Sequence, residues 1–179
     1  MGKVIIHATM SLDGFIAGLH DEMDWVFKYD FSDTIVDAVM KNIGAVVLGK
    51  RTYDISLKIN SLPYGGNVKV PQFVVTKEAE DSKTIGGLTF TFVTDGIESA
   101  VKQAKKAAGK KNVMLLGASI DQQCLKARLA DEIVIHLAPI LLGEGIRLFD
   151  HLGSERIELE RIKAVATRDI TSLRFRVVK

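Results

Sequence analysis

Ala45-Val46-Val47-Leu48-Gly49-Lys50-Arg51-Thr52-Tyr53-Asp54 is the stretch that decides the fold. Four apolar residues with two adjacent valines predict a buried strand, Gly49 permits a sharp turn, and the residues after it continue as a helix. Lys50 and Arg51 therefore stand where that helix begins. A helix start carries positive partial charge and unpaired N–H groups, so two cations there are unfavourable unless an anion binds between them. Phosphate is the natural candidate, and a solvated basic turn is the plain alternative.

The same plan recurs at Val113-Met114-Leu115-Leu116-Gly117-Ala118-Ser119-Ile120-Asp121. Ser119 is expected to cap a helix running to about Leu129, leaving first-turn N–H groups to hold a pyrophosphate. Neither junction is a Gly-x-Gly-x-x-Gly fingerprint. Two such turns in one chain are nonetheless a stronger signal than either, because parallel α/β sheets bind ligands at the carboxyl ends of their strands.

Outward from these junctions, Val4-Ile5-Ile6-His7-Ala8-Thr9-Met10 is a near-continuous apolar run, as expected of an interior strand. His7 reads as a core or edge residue, since no second metal-ligand type sits at helical or hairpin spacing from it. Ser11 to Gly18 forms a glycine-bearing loop. A helix is predicted over about 32 to 42, with Ile35, Val36, Val39, Met40 and Ile43 on its buried face. Asp33 falls in its first turn, where a carboxylate is favoured by the dipole in any case. Gln72 to Lys77 and Thr89 to Val93 read as strands, 97 to 108 as a helix stopped by Gly109, and Glu132 to Ala138 as a strand ending at Pro139. Leu173, Phe175 and Val177 alternate with Arg174 and Arg176, which makes 157 to 167 and 171 to 178 an antiparallel hairpin at one sheet edge.

With 179 residues, 47% hydrophobic and 26% charged, the chain suits one globular domain spanning 1–179. The 24 basic and 22 acidic residues are dispersed, which offers no polybasic tract for nucleic acid or lipid. No apolar run approaches the roughly 20 residues of a membrane span, and no signal peptide precedes the first strand, so a cytoplasmic protein is expected. Cys124 is the only cysteine. It reads as a buried, inert thiol, and neither a disulfide nor a cysteine-based metal site is expected.

Ser11-Leu12-Asp13-Gly14-Phe15-Ile16-Ala17, Asp24-Trp25, Val47-Leu48-Gly49-Lys50-Arg51-Thr52-Tyr53 and Leu141-Leu142-Gly143-Glu144-Gly145-Ile146-Arg147-Leu148-Phe149 together resemble the dihydrofolate reductase superfamily. The branch most similar is the reductase domain of bifunctional riboflavin-biosynthesis proteins. The resemblance runs from the first strand to the final hairpin. It implies a three-layer α/β/α fold whose central sheet is mixed, mostly parallel, with a C-terminal antiparallel hairpin, and which binds NADPH across the strand ends. Gly49, Lys50, Arg51 and Thr52 match the turn that holds the adenosine-side phosphates, and Thr76 and Lys77 the strand end beside the adenine ribose. Leu116, Gly117, Ala118, Ser119 and Ile120 match the pyrophosphate turn, with Leu116 in place of a first glycine. Ala8, Ile16 and Ala17 match the backbone around the nicotinamide.

The expected activity is NADPH-dependent reduction of a small nitrogen heterocycle, pyrimidine-like or pteridine-like. Asp33 corresponds to the catalytic carboxylate of dihydrofolate reductases and is the expected proton source, with Asp13 the runner-up. The alternative is a nucleotide-binding module that keeps the fold without turnover. A homodimer is expected from the branch it resembles and from the sheet edge and apolar surface of the C-terminal segments.

Overall fold

The computed structural model describes residues 2–31 and 34–179. In chain order the first half contains β1 (Val4–Ser11), β2 (Phe15–Ala17), α1 (Thr34–Lys41), β3 (Ile43–Gly49), α2 (Lys50–Lys58), β4 (Gln72–Val75), β5 (Lys83–Ile85) and β6 (Leu88–Val93). The second half adds α3 (Ile97–Ala108), β7 (Asn112–Leu116), α4 (Ala118–Lys126), β8 (Glu132–Ala138), β9 (Ile146–Arg147), β10 (Leu159–Ala166) and β11 (Thr171–Val177).

Nine strands form one sheet in the order β10-β11-β8-β1-β7-β3-β4-β6-β5, and β2 pairs with β9 in a small separate ribbon. The six strands from β8 to β6 run parallel, while β5 and the β10–β11 hairpin are antiparallel at the two edges. Alternate side chains divide between two faces. Val4, Ile6, Val47 and Leu115 pack with Ile97, Ala100, Val101 and Ala104 of α3 and with Ile120, Cys124 and Leu125 of α4. Ile5, Val46, Leu48 and Met114 pack with Ile35 and Val39 of α1 and Tyr53 of α2. Helices on both faces make three layers, which is why the interior strands are apolar throughout rather than alternating.

The helix of 97 to 108 forms as its spacing predicts: Ile97, Ala100, Val101 and Ala104 are all buried on one face, and Gly109 at φ 61 ends it. Ser119, however, is not a cap. The cap position of α4 is Gly117 and the helix begins at Ala118, so Ser119 lies inside the first turn, where its Oγ accepts a bond from Nε2 of Gln123 at 3.0 Å. The helix also stops at Lys126, earlier than Leu129. β2, β5 and β9 escape sequence reading because two or three residues cannot show a period.

Candidate active site

At the carboxyl ends of β3 and β7 the chain turns directly into α2 and α4, with Gly49 and Gly117 as the caps and no side chain capping either turn. The two turns touch. A Cβ added to Gly117, which lies at φ 102, would stand 2.5 Å from Oγ1 of Thr52, and one added to Gly49 would stand 3.5 Å from Cγ1 of Ile120. Two uncapped helix starts thus lie against each other at the carboxyl end of the sheet, each with its dipole favouring negative charge. Leu116, the last residue of β7, turns its side chain toward the α1-face core and is half-buried there.

The cations of the opening stretch have carboxylate neighbours. Lys50 Nζ lies 2.6 Å from Oδ1 of Asp54 and 3.7 Å from Oε1 of Glu80, and the bond to Asp54 raises the lysine pKa. Arg51 donates from Nε and Nη2 to Oδ1 of Asp21 at 3.0 and 2.7 Å, and its side chain remains 71% exposed. Any anion taken up here competes with these carboxylates. Thr76 is half-buried and Lys77 exposed just beyond β4.

At the carboxyl ends of β1 and β8 two further loops meet. Ala17 and Phe15 pair with Ile146 and Arg147, and a Cβ on Gly145 would lie 2.1 Å from the carbonyl oxygen of Ala17, so only glycine lets the loops approach this closely. Ala8 and Ile16 pack on the α4 face nearby. Asp13 locks the arrangement. Its carboxylate accepts Ser11 Oγ at 2.6 Å, the Gly143 N–H at 2.7 Å and the Leu142 N–H at 3.1 Å. The Ser11 hydroxyl first, then the Gly143 and Leu142 N–H groups, bring its pKa down to about 2. As an anion in this arrangement, Asp13 clamps the two loops together through these bonds. Asp33, the expected proton source, and Ser32 lie outside the described residues.

Three polar features had no local signal in the sequence. His7 is bonded to His136, Nε2 to Nε2, at 2.8 Å. The outer nitrogens of the pair meet Tyr64 Oη at 3.0 Å and Ser172 Oγ at 2.7 Å. Tyr64 reaches His7 from a short turn, Pro63–Gly66, in which it adopts the left-handed conformation at φ 53, ψ 36. Asp121, in the first turn of α4, is 1% exposed; burial pushes its pKa well up, and its Oδ1 has no hydrogen-bond partner. Contacts separated by 57 or 129 residues leave no trace in periodicity. Cys124 is buried, with its thiol pushed up to about 12.

Sheet, layers and the paired glycine turns together define a protein of dihydrofolate reductase-like architecture. Residues 2–171 match the model of the RibD C-terminal domain family, and the chain belongs to that family. Protein YyaP of Bacillus subtilis (strain 168) is 28% identical over 184 residues, spanning 95% of this chain and 90% of its own length. A solved Shewanella sp. PV-4 protein, whose name assigns it to riboflavin biosynthesis, superposes with a TM-score of 0.83 at 26% identity over 99% of both chains. The diaminohydroxyphosphoribosylaminopyrimidine deaminase/5-amino-6-(5-phosphoribosylamino)uracil reductase of Thermotoga maritima gives a TM-score of 0.70 at 14% identity. This chain covers 57% of that one, and the likeness there is one of fold.

Proposed function

We propose that the chain is an NADPH-dependent reductase of a small nitrogen heterocycle, pyrimidine-like or pteridine-like. The observation that carries this reading is the meeting of Gly49 and Thr52 with Gly117 and Ile120 at the carboxyl ends of adjacent parallel strands, in a member of the RibD C-terminal domain family. Two uncapped helix starts in contact suit the linked phosphates of a dinucleotide. The buried carboxyl of Asp121 fits the same role, because burial favours its neutral form and a neutral acid does not repel a pyrophosphate.

A nicotinamide coenzyme bound there would supply a hydride. The residues of this chain do the positioning. Gly49, Thr52, Gly117, Ala118, Ser119 and Ile120 would hold phosphate, with Lys50 and Arg51 beside them for the ribose phosphate that distinguishes NADPH, and Thr76 and Lys77 near the adenine ribose. Ala8, Ile16 and Ala17 would line the nicotinamide end, where the Asp13 clamp keeps the loop from β1 to β2 against the segment after β8. Placement of the reacting atoms and exclusion of water are what such a cleft contributes.

A nucleotide-binding module without turnover is the second reading, and it is favoured by Leu116 in place of the first pyrophosphate glycine. Loss of NADPH absorbance on incubation with a panel of pterins and ribosylaminopyrimidines separates the two: oxidation with one member supports the reductase, whereas binding without oxidation supports the module. We further place the protein in the cytoplasm as a homodimer. Support for the dimer is the free edge of β10, where Leu159 and Ile162 are exposed. No helix among the described residues is long and apolar enough to cross a membrane.

A further inference from the structure

Four polar side chains from separate parts of the chain form one line on the α1 face of the sheet: Tyr64, His7, His136 and Ser172. Strand register places this line toward the carboxyl ends of β1 and β8. Ile6 pairs with Leu115, which sets His7 level with Leu116, the residue before the Gly117 turn. His136 stands beside Thr9 on one side and Ser172 on the other.

Two imidazole nitrogens 2.8 Å apart share one proton, because one must donate and the other accept. Protonating both facing nitrogens would break the bond and oppose two charges in a poorly solvated place. The pair is therefore a one-cation unit. Its outer nitrogens end on hydroxyls, which can donate or accept, so the line supports either polarity. Tyr64 can donate to His7, His7 to His136 and His136 to Ser172, or every bond can reverse. The two ends differ in access: His136 and Ser172 are 3% and 0% exposed, whereas His7 and Tyr64 are half-buried. A proton leaves the line from the His7 end.

Among the described residues, Phe31 sets its ring edge-on to His136 at 5.9 Å, Tyr64 stacks on His7 at 5.7 Å, and Asp121 of α4 acts electrostatically on Tyr64 only when ionised. Burial, first of all, raises the Tyr64 pKa above the ordinary tyrosine range, so its hydroxyl keeps its own proton and can either donate to His7 or accept from it. Among the described residues no group of three His, Cys, Asp or Glu is placed to hold a metal ion.

We propose that the His7–His136 pair is the proton source of the reduction, an assignment that rests on the reductase reading. The carbon of the substrate C=N or C=O bond accepts a hydride from the reduced nicotinamide coenzyme, and the π electrons pass to the heteroatom. His7 gives that heteroatom the proton on Nδ1, exchanging its bond to Tyr64 Oη for one to the substrate, while Nε2 stays bonded to His136. The substrate gains two electrons, the coenzyme loses two, and the pair falls from one cation to neutral until solvent returns the proton. Tyr64 and Ser172 are positioning residues that fix the outer ring nitrogens.

The test has two arms. In coenzyme-free protein labelled with 15N-histidine, an NMR titration should show His7 and His136 taking up one proton between them, and His136→Gln should make His7 titrate as an independent imidazole. Full, independent protonation of both rings in the wild type overturns the proposal. In single-turnover hydride transfer at saturating NADPH and heterocycle, His7→Gln and His136→Gln should each be slower by about 100-fold, the scale of a lost general acid, with the coenzyme Kd unchanged. Tyr64→Phe, which removes one hydroxyl and no packing volume, should shift the titration of the pair and slow transfer less. Wild-type rates in the histidine variants, or a loss confined to Asp33→Asn, overturn the assignment. A wild-type chain that binds NADPH and reduces no heterocycle overturns the reductase reading and the proton role with it, while the titration arm still decides whether the pair is a one-proton unit.

Discussion

Oγ1 of Thr52 occupies the space that a side chain on Gly117 would need, 2.5 Å from where its Cβ would stand. Gly117 also lies at φ 102, ψ 134. Two separate costs therefore attach to Gly117→Ala. The backbone strain costs about 1–3 kcal/mol and the clash adds to it. Adding Thr52→Ala should restore only the clash component, and both variants should bind NADPH more weakly than wild type. Urea unfolding and calorimetric titration check this; a fully restored double variant would mean that the backbone conformation is unstrained.

Asp13 predicts an acid-side stability change. Its folded pKa of about 2 lies below the ordinary aspartate value of 3.8, so the folded state binds fewer protons than the unfolded one in between. The contribution is present above about pH 4 and is lost as pH falls toward 2. Urea midpoints measured across that window should fall more steeply for wild type than for Asp13→Asn. Parallel curves would remove the clamp from the account.

Asp121 predicts the opposite sign. Burial raises its pKa, so the folded state holds a proton that the unfolded state has released above about pH 4. Stability is therefore lost progressively as pH rises from there toward the folded pKa. Asp121→Asn keeps the shape without the ionisation, and its stability relative to wild type should increase between pH 4 and pH 8. A pH-independent difference would mean that Asp121 ionises freely in the folded protein.

Lys50 and Arg51 set the expected coenzyme preference, yet both already face carboxylates. A charged hydrogen bond is worth about 1.5–3 kcal/mol, so Lys50→Ala and Arg51→Ala should each weaken NADPH on the order of 10- to 100-fold, with NADH changing far less. The Arg51–Asp21 pair is exposed and worth about 0–1 kcal/mol, so Asp21→Asn should tighten NADPH by at most roughly fivefold. Equal affinity of the wild type for NADPH and NADH would take the ribose phosphate away from these cations.

Much of the frame was legible because it rests on local pattern. The apolar runs of β1, β3, β7 and β8, the spacing of Ile97, Ala100, Val101 and Ala104, and the alternation of Leu173, Phe175 and Val177 each declare an element within a few residues. Both glycine turns were legible for the same reason. The Ser119 cap was misplaced because residue type alone does not reveal that the chain enters α4 directly from Gly117. The clamp made by Asp13 was not legible, because the N–H groups of Leu142 and Gly143 that it holds lie 129 and 130 residues away. The same distance in sequence hides His136 from His7, since strand order rather than periodicity brings β8 beside β1.

The central claim is that one dinucleotide lies across the Gly49 and Gly117 turns. Amide chemical-shift mapping on 15N-labelled protein titrated with NADPH tests it most directly. The largest changes should fall on Gly49, Thr52, Gly117, Ser119 and Ile120, with a second group at Ala8, Ile16 and Ala17. Changes confined to the opposite end of the strands, around Lys3, Asp131 and Lys179, or no saturable change at all, would contradict it.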